Sequence, residues 1–382
     1  MLLKNAIVHD GMGGAARLDV LVEEGRIRRI APEIPGDGED LAGRHILPGF
    51  VQPISSWGVN GTAFEIRPGA NDNDEHSDPI TPELDGFYAF NGRAATYQQL
   101  GAFGLTTVGV APTDNNLFGG LIAAFSVEGV NPYKLCLKRN IGMMSSVTGS
   151  LKMTYGKQKK PPVTTMWIYA NFAEQLRKAA AYKAEAEKPA DVKLEALKRV
   201  VDGELPLFVS CDSLLAAERV RDITAQYPAL RLVLVNGFGL TGEEQWIIDR
   251  KIPVIVRTCS NVVQKEPMTL DLKAVARLSE KGVPVAFSGE YTSFYGARED
   301  MLWNGAEMMR VLQDSEKVLP MLTSVPAKIL GLEEITGAVR EGLRADLVVW
   351  SGNPLETWQA KVLTAYQGGC PIYREGDALR CM

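Results

Sequence analysis

The stretch Ile46 to Gly58 reads ILPGFVQPISSWG, an apolar run that ends in small polar residues. A short apolar strand followed by a polar turn is typical of a βα unit, in which binding side chains follow the carboxyl end of the strand. We therefore predict that this stretch is the first strand of a barrel and that the mouth of the barrel lies directly after it.

The length and composition of the chain agree with a barrel and a smaller domain. The chain has 382 residues, which is longer than the roughly 250 residues of one (β/α)8 barrel. Hydrophobic residues make up 46% and charged residues 23%, so a disordered, collagen-like or disulfide-dense chain is excluded. The formal charge of −5, without a basic stripe, argues against a nucleic-acid partner.

Targeting signals and cysteine usage predict a cytoplasmic protein without a membrane partner. The start of the chain lacks the charged and apolar regions of a signal peptide, and no apolar run reaches about 18 residues. The five cysteines are odd in number and form no C-x-x-C motif. We therefore expect reduced thiols.

Both ends of the chain alternate apolar and polar residues, as half-buried strands do. The predicted strands cover residues 2–9, 18–30, 337–339, 345–350, 362–366 and 372–373. We predict that residues 1–50 and 338–382 pair into one composite β-sandwich domain. Residues 51–337 would then form the barrel.

The middle of the chain alternates short apolar strands with helical stretches, the pattern of a parallel α/β barrel. Predicted strands are Thr106 to Val110, Leu207 to Val209, Arg231 to Val235, Val254 to Val256 and Val283 to Phe287. Predicted helices are Tyr88 to Phe103, Trp167 to Lys188, Asp191 to Val201 and Ser213 to Gln226.

Two phrases carry a family resemblance. LPGFV at residues 47–51 resembles the opening strand of the metal-dependent amidohydrolase superfamily, and GAVREGLRADLVVWSGNPLE at 337–356 resembles its C-terminal signature. Residues 75–87, 103–112 and 116–125 resemble the imidazolonepropionase-like branch. The resemblance implies a distorted (β/α)8 barrel, hydrolysis of carbon–nitrogen bonds in non-peptide amides or cyclic amides, and zinc or another divalent metal as cofactor.

The resemblance also places the family's metal ligands on positions of this chain, and the ligands are absent there. The two histidines of the first strand become Ile54 and Ser56, and those of the fifth become Ser210 and Asp212. The sixth-strand histidine becomes Asn236, and the aspartate of the eighth strand becomes Gly289. Zinc takes imidazole, thiolate or carboxylate ligands, so the resemblance predicts a lost metal centre and no cofactor.

The remaining histidines do not replace these ligands. The chain has three, His9, His45 and His76, whereas the family's centre normally uses four. His9 and His45 precede the barrel, and His76 lies in the acidic loop from Asn71 to Asp78, which we interpret as a structural cap near the mouth.

Several alternatives for a replacement site stay open from the residues. Cys211 and Cys259, with Asp212 or Glu290, provide donors for a new zinc site, and Asp212 with Glu290 provides a carboxylate pair for acid and base catalysis. Lys152 is a further candidate charge at the mouth. Lys152 begins the stretch from Lys152 to Gln158, which the resemblance aligns with a family motif. In that motif, Lys157 takes the position of a carboxylate. The run from Lys157 to Lys160 is either a solvated loop or a group of charges that replaces the metal.

Two functional hypotheses follow. The first is a catalytically silent amidohydrolase homologue, a pseudoenzyme that binds a small molecule or forms a homo-oligomer or a hetero-oligomer with an active paralogue. The second is an active hydrolase of carbon–nitrogen bonds with metal-independent or altered chemistry. The first leads because serine, asparagine and glycine do not activate water as a bound metal does.

Overall fold

The computed structural model describes residues 1–59, 72–94, 97, 99–184, 189–236, 240–257, 271–289 and 298–377. Its strands are β1 (Leu2–His9), β2 (Ala15–Glu23), β3 (Arg26–Ala31), β4 (Glu39–Asp40), β5 (His45–Pro48), β6 (Phe50–Ser55), β7 (Leu105–Val110), β8 (Phe118–Leu121), β9 (Ala123–Ser126), β10 (Cys136–Lys138), β11 (Met143–Ser146), β12 (Leu207–Ser210), β13 (Leu232–Val235), β14 (Val254–Val256), β15 (Val285–Phe287), β16 (Leu347–Trp350), β17 (Val362–Gln367) and β18 (Cys370–Arg374).

Helices connect many of these strands, as expected for βα units. They are α1 (Pro132–Leu135), α2 (Gly149–Lys157), α3 (Thr165–Ala181), α4 (Val192–Val201), α5 (Leu214–Thr224), α6 (Glu244–Arg250), α7 (Leu272–Glu280), α8 (Asp300–Leu312), α9 (Ser315–Leu322) and α10 (Ser324–Ile329). Polar side chains begin several of them at the N-cap. Asp191 accepts from the backbone of Lys193 and Leu194, and Ser213 accepts from Ala216.

The two ends of the chain share one eight-stranded sheet. Its order is β18-β17-β16-β5-β1-β2-β3, and β4 pairs with β1. β5 runs parallel to β1 and antiparallel to β16, so the stretch from Ile46 meets the C-terminal segment directly. The prediction that the two ends pair is confirmed, whereas the two-layered sandwich stays a prediction.

The stretch from Ile46 to Gly58 divides at Gly49. β5 joins the terminal sheet, and β6 turns away to pair in parallel with β7 in a second sheet, of order β10-β9-β7-β6. A Cβ atom at residue 49 would overlap the side chain of Thr106. Glycine is therefore required where the chain leaves one sheet for the other.

A third sheet carries most of the parallel strands. Its order is β15-β14-β13-β12-β11-β8, in which β11 to β15 are parallel to one another and β8 is antiparallel to β11. Strands β11 to β15 are buried along their whole lengths, as strands covered on both faces are.

The second and third sheets share an apolar interior. Val51 and Ile54 of β6 pack in one buried cluster with residues of the third sheet such as Phe208, Val233 and Ile255. The Ser288 hydroxyl, just after β15, donates to the Ile54 carbonyl at 2.5 Å. The first strand of the second sheet therefore lies beside the last strand of the third.

Two predicted elements are wrong. No α-helix covers Tyr88 to Phe103 in its described part. The backbone turns there, and a short 3-10 helix covers Leu100–Phe103. Asn91 accepts from the backbone of Arg93, and Gln99 has a φ of 65°, so local turn bonds replace the helical ladder.

Residues 337–339 are likewise not a strand. Gly337 has a φ of 96°, which interrupts extended backbone, and Val339 is tied by its N–H to the carbonyl of Asp10. The helix predicted for Trp167 to Lys188 ends earlier, at Ala181, and the strand predicted from Val283 begins at Val285.

Candidate functional site

The carboxyl ends of the parallel strands carry the positions where the family places its metal ligands. Ile54 lies in β6, Ser210 ends β12, Asn236 follows β13, and Gly289 lies two residues after β15. Because β12, β13, β14 and β15 run parallel in register, their carboxyl ends meet at one edge of the sheet. We call this edge the mouth.

A chain of hydrogen bonds crosses the mouth through a guanidinium. Asn236 Nδ2 donates to Ser210 Oγ at 2.6 Å, and Arg257 Nη1 donates to Asn236 Oδ1 at 3.0 Å. The same Arg257 nitrogen lies 3.0 Å from Asp114 Oδ2. These four residues, Ser210, Asn236, Arg257 and Asp114, form the mouth network.

The mouth network is largely removed from water. Ser210 is fully buried, Asn236 is 7% exposed, and the side chains of Arg257 and Asp114 are 10% and 20% exposed. A paired guanidinium and carboxylate at this depth interact more strongly than at the surface, and the loss of one partner leaves the other uncompensated. The network therefore fixes a positive charge at the carboxyl ends of β13 and β14.

Asn236 adopts an unusual backbone conformation within the network. Its φ is 91°, a region that side-chain-bearing residues seldom occupy. Strained residues of this kind cluster at ligand and active sites. In this backbone conformation, the Asn236 amide lies between Ser210 and Arg257 and bonds to both.

Ser56, the second position of the first strand, is held by Asn73 of the acidic loop. Asn73 Nδ2 donates to Ser56 Oγ at 2.9 Å and to the Ala111 carbonyl at 2.7 Å, which fixes the orientation of the amide. Within the described residues, the buried Asn73 Oδ1 accepts no hydrogen bond. A buried acceptor without a donor is uncommon in native proteins and marks a place for a further group.

Gly289 lies against Gln52 and Asp300. A Cβ atom at Gly289 would be 2.9 Å from Gln52 Nε2 and 3.1 Å from Asp300 Cβ. Gln52 is 2% exposed and accepts from Trp57 Nε1 at 2.8 Å. The family's aspartate position is therefore closed in by neighbouring side chains, and a larger residue there would displace them.

Two predicted charges of the mouth have structural partners. Asp212 Oδ2 accepts from the backbone N–H of Gly149 at 2.9 Å, at the N-terminus of α2. Lys152, on α2, donates from Nζ to Thr165 Oγ1 at 3.2 Å. The run from Lys157 to Lys160 is exposed, which agrees with the solvated-loop interpretation.

Of the two predicted cysteine donors, the structure describes Cys211. Cys211 is 1% exposed, and burial raises the pKa of its thiol, with a smaller effect from the charge of Asp212. A neutral thiol is a poor metal ligand and a poor nucleophile. Cys259 and Glu290 lie outside the described residues, so the alternatives that use them stay predictions.

The histidines already have partners elsewhere. His9 Nε2 lies 2.8 Å from His45 Nδ1, and His9 Nδ1 lies 2.6 Å from Glu316 Oε1. His76 Nε2 lies 2.8 Å from Asp74 Oδ2, and Asp74 also accepts from Asn115 Nδ2 at 2.8 Å. The acidic loop thus packs on the segment after β7, as a structural cap would.

The donors at the mouth do not fit a catalytic zinc. The side chains at positions 54, 56, 210, 236 and 289 provide hydroxyl, amide and apolar groups, whereas zinc sites use imidazole, thiolate or carboxylate. Among the residues that the structure describes, no group of three histidine, cysteine or acidic side chains is placed to hold a metal ion. The polar side chains at this edge instead bond to each other and to Arg257.

Sequence reasoning missed Arg257, Asp114, Asn73 and Gln52. Arg257 follows the apolar strand Val254 to Val256, and a charged residue directly after a buried strand is a detectable signal. Asp114 and Asn73 lie in polar loops, where spacing gives no comparable signal. Their roles depend on contacts between distant segments.

Comparison with known proteins agrees with the fold. The model of the amidohydrolase family matches residues 242–369. An amidohydrolase structure from Thermotoga maritima is 25% identical, with a TM-score of 0.88, and the match covers 98% of this chain and 100% of that one. The structure of 5-methylcytosine deaminase from Klebsiella pneumoniae with 5-fluorocytosine has a TM-score of 0.53 at 17% identity. The match covers 100% of this chain and 99% of that one, and it shows a similar fold.

A curated relative gives a further match. The amidohydrolase tasK of Hapsidospora irregularis is 23% identical over 409 aligned positions, covering 92% of this chain, and the match spans 40% of the length of that relative. Together, these three matches support the amidohydrolase superfamily for this chain. In the described part of the chain, no helix is both long and apolar enough to cross a bilayer.

Proposed function

We propose that this chain is an amidohydrolase homologue that binds a small amide-containing molecule at its mouth without hydrolysing it. The observation that carries the proposal is the mouth network, in which Arg257 bonds to Asn236 and, through it, to Ser210. In this account the guanidinium takes the electrostatic place of the family's metal.

The fixed charge of Arg257 disfavours a divalent cation. Arginine stays protonated at all ordinary pH values, and like charges a few ångströms apart repel strongly in a site with little water. Asp114 is already paired with this charge at 3.0 Å. A metal at the mouth would have to displace this pair and find other ligands.

Without a metal, hydrolysis lacks an activator of water. A bound metal lowers the pKa of its water to about 7. Serine and asparagine side chains do not have this effect, and Asp212 is engaged at the N-terminus of α2. The mouth is therefore suited to binding and not to water attack.

The ligand class follows from the buried amide that holds Ser56 and from the charge of Arg257. The buried Asn73 Oδ1, which accepts no hydrogen bond from the described residues, needs an N–H or O–H donor. Amides and cyclic amides present an N–H beside a carbonyl, and the carbonyl suits the positive charge of Arg257. The resemblance to the imidazolonepropionase-like branch supports a cyclic amide.

The same proposal includes the shape of the scaffold. We infer that the second and third sheets close into a distorted (β/α)8 barrel, because β6 and β15 are linked by the bond from Ser288 to Ile54. In such a barrel, the carboxyl ends of the strands surround one ligand site.

A thermal-shift screen of amides, cyclic imides and amino-acid derivatives tests the proposal. A ligand at 100 times its dissociation constant stabilises the native state by about 2.7 kcal/mol, so hits should raise the melting temperature. We expect hits to weaken in Asn73→Ala and Arg257→Lys. The matched control Asn171→Ala, which removes an amide that donates to the Trp167 carbonyl within α3, should retain them.

Hydrolysis of the hits is measured in parallel, before and after chelation. We expect background rates in both cases. Turnover that survives chelation would identify a metal-independent hydrolase and overturn the proposal. Turnover that chelation abolishes would restore the family's metal chemistry. The absence of hits together with a tightly co-purifying paralogue would identify a scaffold subunit instead.

A further inference from the structure

A cavity of about 420 Å³ lies at the opposite end of the strands from the mouth. Its wall includes Pro206, Leu232, Pro253 and Pro284, which lie at the amino ends of β12, β13, β14 and β15. The volume lies within the range of small-molecule sites, about 300 to 1,000 Å³. We call this cavity the basal cavity.

The charges around the basal cavity have one sign. Arg231, Arg250, Lys251 and Lys328 line it, and the described residues of its wall include no aspartate or glutamate. In the described residues none of these four cations forms an ion pair with a carboxylate, although most other described arginines and several lysines do. Four like charges around one concavity raise the local potential and attract an anion.

The four cations come from three separate segments and are not the exposed face of one helix. Arg250 ends α6, Lys251 caps it with a φ of 48°, Lys328 lies on α10, and Arg231 precedes β13. The tertiary fold brings them together around the cavity. A solvated helical face would place its charges on one element at helical spacing.

Arg231 is held in place before any ligand binds. Its Nε donates to the Gly203 carbonyl at 2.9 Å, and its Nη2 donates to the Glu204 carbonyl at 2.7 Å. The Nη1 group makes neither of these bonds. A guanidinium fixed in this way loses less conformational entropy on binding than a free side chain does.

The proline residues of the wall restrict how an anion is recognised. Pro206, Pro253 and Pro284 have no backbone N–H, and Leu207 and Val254 donate theirs to Arg231 and Pro284 carbonyls of neighbouring strands. The nearby strand ends therefore offer few backbone donors. Recognition depends on the four cationic side chains.

We propose that the basal cavity binds a small polyvalent anion of the phosphate type, such as a phosphate ester or diphosphate. Multiple charges on a compact ligand suit several cations from different directions, and guanidinium and ammonium groups are the usual donors to phosphate oxygens. This site is separate from the mouth, so the proposal does not depend on what the mouth binds.

Calorimetric titration with pyrophosphate at constant ionic strength tests the proposal on the full chain. We expect saturable binding at one site. The variant Arg250→Gln/Lys328→Gln should weaken the affinity by at least about tenfold, because two of the four charges are removed. The control Lys157→Gln/Lys160→Gln removes two exposed charges at the other end of the strands and should bind within about twofold of the parent chain.

Each single variant, Arg250→Gln and Lys328→Gln, keeps the test decisive if the double variant does not fold. Each should weaken binding by about threefold, with circular dichroism as the check on folding. Equal weakening in the control variant would show a diffuse surface-charge effect and overturn the site. Unchanged affinity in the Arg250 and Lys328 variants, or no saturable binding of pyrophosphate, would also overturn it.

Discussion

The two ends of strands β12 to β15 place positive charge in opposite ways. At the carboxyl ends, Arg257 is largely buried and paired with Asp114 and Asn236. At the amino ends, Arg231 and three further cations are exposed around the basal cavity, whose described wall has no carboxylate. The same strands therefore carry a buried, paired guanidinium at one end and a group of exposed cations at the other.

This difference separates structural charge from charge that is free to bind ligands. A buried pair resists substitution because each partner alone would be a desolvated charge. An exposed cation loses little when it is replaced, because water already solvates it. Substitutions at the two ends should therefore differ in their effects on stability, and the following predictions test that difference in order of decreasing effect.

The largest effect is expected for Arg257→Met. It leaves Asp114 and Asn236 without their donor, so we expect a loss of about 3 kcal/mol in the free energy of unfolding. Urea denaturation measures it. The matched variant at the amino ends, Arg231→Met, should cost less than about 1 kcal/mol, since its partners are carbonyls near the surface. Equal losses of unfolding free energy in Arg257→Met and Arg231→Met would contradict the claim that the two ends use their charges differently.

A smaller effect is expected from the backbone of Asn236. Asn236→Ala and Asn236→Gly both remove the hydrogen bonds to Ser210 and Arg257, but only alanine keeps a Cβ at a φ of 91°. Glycine adopts positive φ at no steric cost, so Asn236→Gly should be more stable than Asn236→Ala by about 1 kcal/mol. If the alanine variant is the more stable of the two, the strain at the mouth is not real.

The smallest effect concerns pH. Burial lowers the pKa of His45 below its usual range, helped by the adjacent His9 and opposed by Glu356. Glu316 faces the pair from α9. Because the folded state favours neutral His45, its contribution to stability is present above the unfolded pKa of about 6.5 and decreases as the pH falls below that value.

Unfolding measured between pH 7.5 and 5.5 checks this contribution, and His45→Gln should flatten the profile. A profile that His45→Gln leaves unchanged would contradict this contribution.

The sequence predicts the scaffold well because burial leaves regular patterns. The strand Val254 to Val256 and the helix from Asp191 to Val201 follow from apolar spacing and an N-cap residue. The described part of Tyr88 to Phe103 has turns and a short 3-10 helix in place of an α-helix, and these turns depend on contacts such as the bond from the Asn91 N–H to the carbonyl of Gly58. Such long-range contacts are not visible in local spacing.

The candidate site was predictable in position but not in chemistry. The resemblance locates Ser210, Asn236 and Gly289 at the strand ends, and the structure places them there. The partners that give these residues a role, Arg257 and Asp114, are 143 positions apart in the chain. Only the fold brings them within hydrogen-bonding distance.

Elemental analysis of protein purified without chelator tests the central claim most directly. Because Arg257 and its partners occupy the strand ends and the five substituted positions lack zinc ligands, we predict far less than one equivalent of zinc, manganese or iron per chain. The Arg257→Lys variant should give the same result, since it keeps the positive charge. About one equivalent of bound metal per chain, lost in Asp212→Ala or Cys211→Ser, would contradict the account.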